Sequence, residues 1–134
     1  MATSRNDDPS LAASVDTARA ALDRVDPTRP VEALPLLREA QEHVIRAIDE
    51  AMAAAVTTEG TTIRTAGLLA GLTENAVGPR LARTRLLAAY RSESGRVTAA
   101  GVERARYDLE EGRHRTIAPD GQSAPLRFRA RRTT

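Results

Sequence analysis

Between Thr62 and Arg96 the chain concentrates side chains that suit anions and nucleobase edges: Thr62, Thr73, Glu74, Asn75, Arg80, Arg83, Arg85, Arg91 and Arg96. An Asn amide offers a donor and an acceptor together and can pair with adenine. A Glu can accept from cytosine N4, a Thr can meet a phosphate or a thymine methyl, and Arg neutralises phosphates. Reaction chemistry has less to work with. His43 lies on a helical stretch beside Glu42 with no second His on that face, and His114 sits far along in a basic segment. There is no cysteine, so a thiolate metal site and a disulfide framework are both excluded. There is no lysine either, so Gly60, Gly67 and Gly71 do not form a phosphate cradle with one. Glu39 and Glu42 read as a solvated face. No catalytic residue, metal site, cofactor or small-molecule substrate is expected.

The charge distribution points the same way. The net charge is only +2, but residues 1–62 hold 6 Arg against 11 Asp and Glu, whereas residues 63–134 hold 14 Arg against 7. That is −5 beside +7, and a basic half next to an acidic one suits a polyanionic partner. All 20 basic residues are Arg, for which a GC-rich genome is an equally good explanation.

The elements that must position these residues read as helices. The 134 residues amount to one domain with tails, 41% of them hydrophobic and 2% aromatic. A core of Ala, Leu and Val without rings favours close helix contacts over a sheet sandwich. The predicted class is all-α, or all-α with a short β-hairpin. Residues 1–8 are expected to be disordered, and Asp8-Pro9-Ser10 to start a first helix with Leu11, Val15, Ala18, Leu22 and Val25 on one stripe. Asp26-Pro27-Thr28-Arg29-Pro30 breaks it. A long second helix follows, with Val31, Leu34, Leu37, Ala40, Val44, Ile48, Ala51, Met52 and Val56 at helical spacing. Pro35 marks its true start or a kink. The opposite face carries Arg38, Glu39, Glu42, Arg46, Asp49 and Glu50. Gly60 ends the helix, and Thr62 caps a short one at Ile63–Ala70. Gly71 turns the chain, and Thr73 caps a helix through Leu81 that extends as far as Tyr90. Thr98 caps a last helix that stops at Gly112. The predicted domain spans residues 9–112, followed by a flexible basic tail over 113–134.

The stretch 62–82 has the pattern of a helix-turn-helix. Gly71 tolerates the positive φ of the turn, Ala66 and Gly67 are small where the helices cross, and Leu72, Val77 and Leu81 face inward. It resembles the small helix-turn-helix proteins of GC-rich actinobacteria over about residues 31–82. Gly60, Thr62, Ile63, Gly67, Gly71, Thr73, Ala76, Val77, Arg80 and Leu81 carry that resemblance. It implies sequence-specific binding of double-stranded DNA as a dimer, with the helix that starts at Thr73 in the major groove. Three positions depart from the pattern: Gly78-Pro79 inside the second helix, Ala70 where Leu is usual, and Glu74 where Arg or Gln often reads bases. Residues 88–98 read as a short two-stranded wing, and Val97–Gly101 resembles the exit from the wing of winged-helix repressors. Arg91 and Arg96 would then reach flanking phosphates.

The expectation is therefore a regulator that binds double-stranded DNA, acting in the cytoplasm at the nucleoid. Two other readings fit the same residues, a helical protein-interaction module and a nonspecific DNA-coating protein. The Ala-rich run Ala51–Val56 is either a homodimer seam or simple core. The first ten residues show no apolar segment of the kind that targets secretion, and no apolar run approaches the roughly 20 residues that span a bilayer.

Overall fold

A computed structural model describes residues 11–116. All of its regular structure is helical: α1 (Leu11–Asp23), α2 (Pro30–Thr58), α3 (Ile63–Leu69), α4 (Glu74–Leu81), a 3-10 turn at Ala88–Tyr90 and α5 (Ala99–Glu110). No strand forms among the described residues. The disorder expected for residues 1–8, the start expected at Asp8–Ser10 and the tail from 117 onward lie outside the described residues. The chain separates into two compact units that part between Ala51 and Met52.

The first unit is an antiparallel pair made by α1 and the first part of α2. Arg24, just past the end of α1, pairs with Glu39 at 2.8 Å. The connection is set locally: Asp26 accepts from the Thr28 N–H at 3.0 Å and from the Thr28 hydroxyl at 2.7 Å. Those two bonds hold the Asp26 carboxyl below its ordinary range. Pro30 then opens α2, where a missing N–H costs nothing. Pro35 neither starts nor breaks the helix. The carbonyl it leaves without its helical donor belongs to Val31, a residue 79% exposed, so water can take that place. The buried positions are small ones: Ser14, Ala18 and Ala21 on α1, and Ala33, Ala40 and Ala47 on α2.

Asp49 and Glu50 depart from the sequence reading. They were expected on a solvated face but are buried, and neither is without a partner. A helix face that reads as polar from one sequence can still be covered by another part of the chain, provided its charges are matched.

The second unit holds the remainder of α2 and everything after it. Met52, Ala53 and Val56 are buried there, as are Val77, Leu81, Leu87, Val97, Val102 and Ala105. The Arg106 guanidinium donates to the Val56 carbonyl at 3.1 Å and so ties α5 to the end of α2. Where α5 meets the 3-10 turn, a Cβ on Gly101 would stand 2.6 Å from the Tyr90 carbonyl oxygen, so only glycine allows this approach. Residues 88–98 do not form the strands expected of them. The 3-10 turn is followed by a reversal closed by the Ser92 N–H to the Arg96 carbonyl and the Gly95 N–H to the Ser92 carbonyl, both 2.9 Å. One side of this segment is spent on packing: Leu87, Ala88, Tyr90 and Val97 are all buried, which leaves no length for a free two-stranded ribbon.

Candidate nucleic-acid interface

The junction of α3 and α4 is built from small residues and one left-handed turn. Thr62 caps α3, its hydroxyl accepting from the Thr65 N–H at 3.0 Å. At the other end Gly71 has φ +77°, and two bonds close the turn: the Leu72 N–H to the Gly67 carbonyl at 2.8 Å and the Gly71 N–H to the Leu68 carbonyl at 3.1 Å. These bonds satisfy carbonyls of the last turn, and the Gly67 carbonyl also accepts from the Ala70 N–H at 3.1 Å. The helices then touch at Gly67, where an added Cβ would lie 2.5 Å from Val77 Cγ2.

α4 buries Val77, Gly78 and Leu81, and exposes Glu74, Asn75 and Pro79. Thr73 precedes it in the cap position, but its hydroxyl makes no capping bond. The helix is continuous through Pro79. Proline removes the N–H that would have bonded the Asn75 carbonyl, and the Arg96 guanidinium donates to that same carbonyl at a long 3.4 Å. The Val97 N–H adds a bond to the Gly78 carbonyl at 3.0 Å, so the segment that follows the reversal braces the proline-containing half of α4. Replacing Arg96 by Met should lower stability by about 0.5–1.5 kcal/mol. The loss should shrink in a Pro79→Ala background, where a backbone N–H is restored. A double-mutant cycle from thermal melts measures it, and equal losses in both backgrounds would remove this account of Pro79.

The predicted recognition residues divide into groups. Thr62, Thr73, Glu74, Asn75, Arg83 and Arg91 are exposed, and Arg80 and Arg96 are half-buried. Glu74 has a neighbour that sequence reasoning missed: Arg64 on α3 reaches it across the turn at 3.9 Å. Both side chains are mostly exposed, so the pair adds little stability, but it offsets the negative charge at the start of α4. The signal was present in the sequence as opposite charges on facing first turns of two adjoining helices. Arg91 donates to the Ala88 carbonyl at 2.6 Å and thereby fixes the start of the reversal. Arg85 stands apart, half-buried with its Nε enclosed, which makes it a poor surface contact.

Arg85 belongs to a second cluster around Tyr90 and His114. Tyr90 donates to Asp108 at 2.9 Å and accepts from the Arg115 N–H at 2.9 Å, and its ring lies 5.2 Å from that of His114. Burial pushes the His114 imidazole below its ordinary value of 6.5. A backbone hydrogen bond with Leu86 and the Asp108 charge pull it up, and Arg85 pushes it down again. The net direction is downward, which favours the neutral ring. His114 and Arg115, expected at the start of a flexible tail, lie against Tyr90, and Arg113 lies over the Tyr107 ring. Among the described residues no group of His, Asp or Glu is arranged to hold a metal ion, and no helix is long and apolar enough to cross a membrane.

Comparison with known protein families, with characterised proteins and with solved structures gave no match.

Proposed function

We propose that α3 and α4 form a helix-turn-helix, that the protein binds double-stranded DNA through it as a dimer, and that it acts as a transcriptional regulator at the nucleoid. The observation that carries this reading is the Gly67–Val77 crossing joined through the left-handed Gly71, with the first turn of α4 left exposed at Thr73, Glu74 and Asn75. Two short helices fixed at an angle by such a turn are the means by which a helix N-terminus is presented to the major groove. The resemblance of residues 31–82 to small actinobacterial helix-turn-helix proteins supports the same conclusion.

In this reading Asn75 pairs with an adenine edge, while Thr73 and Thr62 meet phosphates or a thymine methyl. Arg80 on α4 and Arg83 just past it take phosphates, whereas Arg91 and Arg96, expected to do so from a wing, hold the Ala88 and Asn75 carbonyls instead. Glu74 is tolerated near the backbone because Arg64 compensates it, and it can accept from a cytosine amino group. No reaction is assigned to the protein.

A protein-interaction role is the second reading, favoured by one observation: Leu68 and Leu69 on α3 are 74% and 82% exposed. Selection from a randomised duplex pool separates the two. The DNA reading predicts one enriched sequence, whose affinity falls about tenfold or more in Asn75→Ala, the size of one lost bidentate base contact. An unchanged affinity in Asn75→Ala would remove Asn75 from the reading surface, and no enrichment would favour the protein partner.

A further inference from the structure

The antiparallel pair in the first unit is packed the wrong way round for a protomer that stands alone. Its buried apolar positions are all Ala, beside Ser14 and the buried carboxylates Asp49 and Glu50, while its large aliphatic side chains Leu11, Leu22, Val31, Leu34, Leu37, Val44 and Ile45 are between 37% and 79% exposed. Four of them fall on two stripes. Leu11, Val15 and Leu22 form one stripe on α1, and Leu37, Val44, Ile48 and Ala51 form one on α2. Both stripes contribute to a groove of about 350 Å³, lined by Val15, Leu22, Val44, Ile48 and alanines, with one charged residue, Arg19.

We propose that this groove is closed by the same groove of a second copy, making a four-helix bundle. Three features single out a second copy. Apolar surface exposed by these seven side chains is on the order of several hundred Å², at the upper end of what a monomer leaves in its largest patch and a large share of the roughly 800 Å² per partner of a stable dimer. Two helices with only small apolar side chains between them bury little apolar surface, and a second copy supplies more. Two helices with one shared apolar side are half of a four-helix bundle, and a two-fold axis completes it with identical surfaces. The Ala51–Val56 run cannot serve as the seam, because Met52, Ala53 and Val56 are already buried. The inference rests on the dimeric part of the proposed function and not on DNA recognition.

The test is sedimentation equilibrium of the full chain without DNA. Wild type should sediment at twice 14.4 kDa, and the pair Leu22→Ala with Val44→Ala should associate at least about a hundredfold more weakly. Alanine is the stronger helix former, so the variant should keep its helical circular dichroism. Wild type that is monomeric at every concentration overturns the proposal. So does a dimer that the alanine pair leaves intact, or an alanine pair that loses its helices as a monomer. Duplex binding is measured on the same samples: a monomer that binds DNA sinks this inference with the dimeric part of the proposed function but leaves DNA recognition standing, and a dimer that does not bind sinks the DNA reading alone.

Discussion

Gly67→Ala is expected to destabilise the second unit by about 1–3 kcal/mol and to abolish duplex binding with it. The new methyl would lie 2.5 Å from Val77 Cγ2, and Val77 is fully buried, so it has nowhere to swing. Alanine's better helix propensity returns at most about 1 kcal/mol, less than the overpacking costs. Relief must come from moving α3 away from α4, which is the displacement that would mis-set the first turn of α4. A loss of this size lowers the melting temperature by roughly 4–8 °C per kcal/mol in a domain of this length. Thermal circular dichroism checks it, and adding Val77→Ala should recover part of the loss because the two changes share one contact. Gly71→Ala offers the contrast. Nothing lies within 4 Å of its Cβ, so its cost comes from the positive φ alone, about 1–2 kcal/mol. A Gly67→Ala protein that melts with wild type would show that the crossing is looser than the structure has it.

The second large effect is in salt. If about six Arg of each protomer reach phosphates, moving from about 50 to 200 mM salt should weaken duplex binding by at least about three orders of magnitude. Arg83, exposed on the outer side of the chain just past α4, is one of them. Arg83→Ala should weaken binding to all sequences alike and reduce the slope of log K against log salt by about one. Anisotropy titrations at four or five salt concentrations measure both. A slope near zero would mean that the basic second half faces something other than nucleic acid.

Much of the scaffold was legible because its signals are local. The stripe from Val31 to Val56 delimits α2 to within two residues, the Thr62 hydroxyl caps α3 as its position implied, and Gly71 adopts the left-handed conformation that the turn demands. What was illegible depends on chain far away in sequence. Pro79 looked like an interruption because the guanidinium that donates to the Asn75 carbonyl comes from Arg96, well past the helix. Asp49 and Glu50 fall on the polar side by periodicity, but their burial is decided by what covers them. Residues 88–98 read as a wing from their central turn residues and from the likeness of Val97–Gly101 to a wing exit, yet Tyr90 and Val97 are buried and the segment is a 3-10 turn and a tight reversal. Arg113–Thr116 carry no periodic pattern, and the Arg115 N–H is held by the Tyr90 hydroxyl, a long-range bond that composition does not announce. The candidate site was legible as a set of residue types. Its internal arrangement, with Arg64 beside Glu74 and Arg85 withdrawn toward His114, was not.

The most direct test of the central claim, that the first turn of α4 reads DNA, is a titration of purified protein against a randomised duplex pool at about 50 mM salt, where phosphate contacts are strongest. The account predicts binding, enrichment of one sequence over successive rounds, and loss of that preference in Asn75→Ala while residual, salt-sensitive binding persists. Absence of binding at that salt, or binding that never favours one sequence over another, would contradict it.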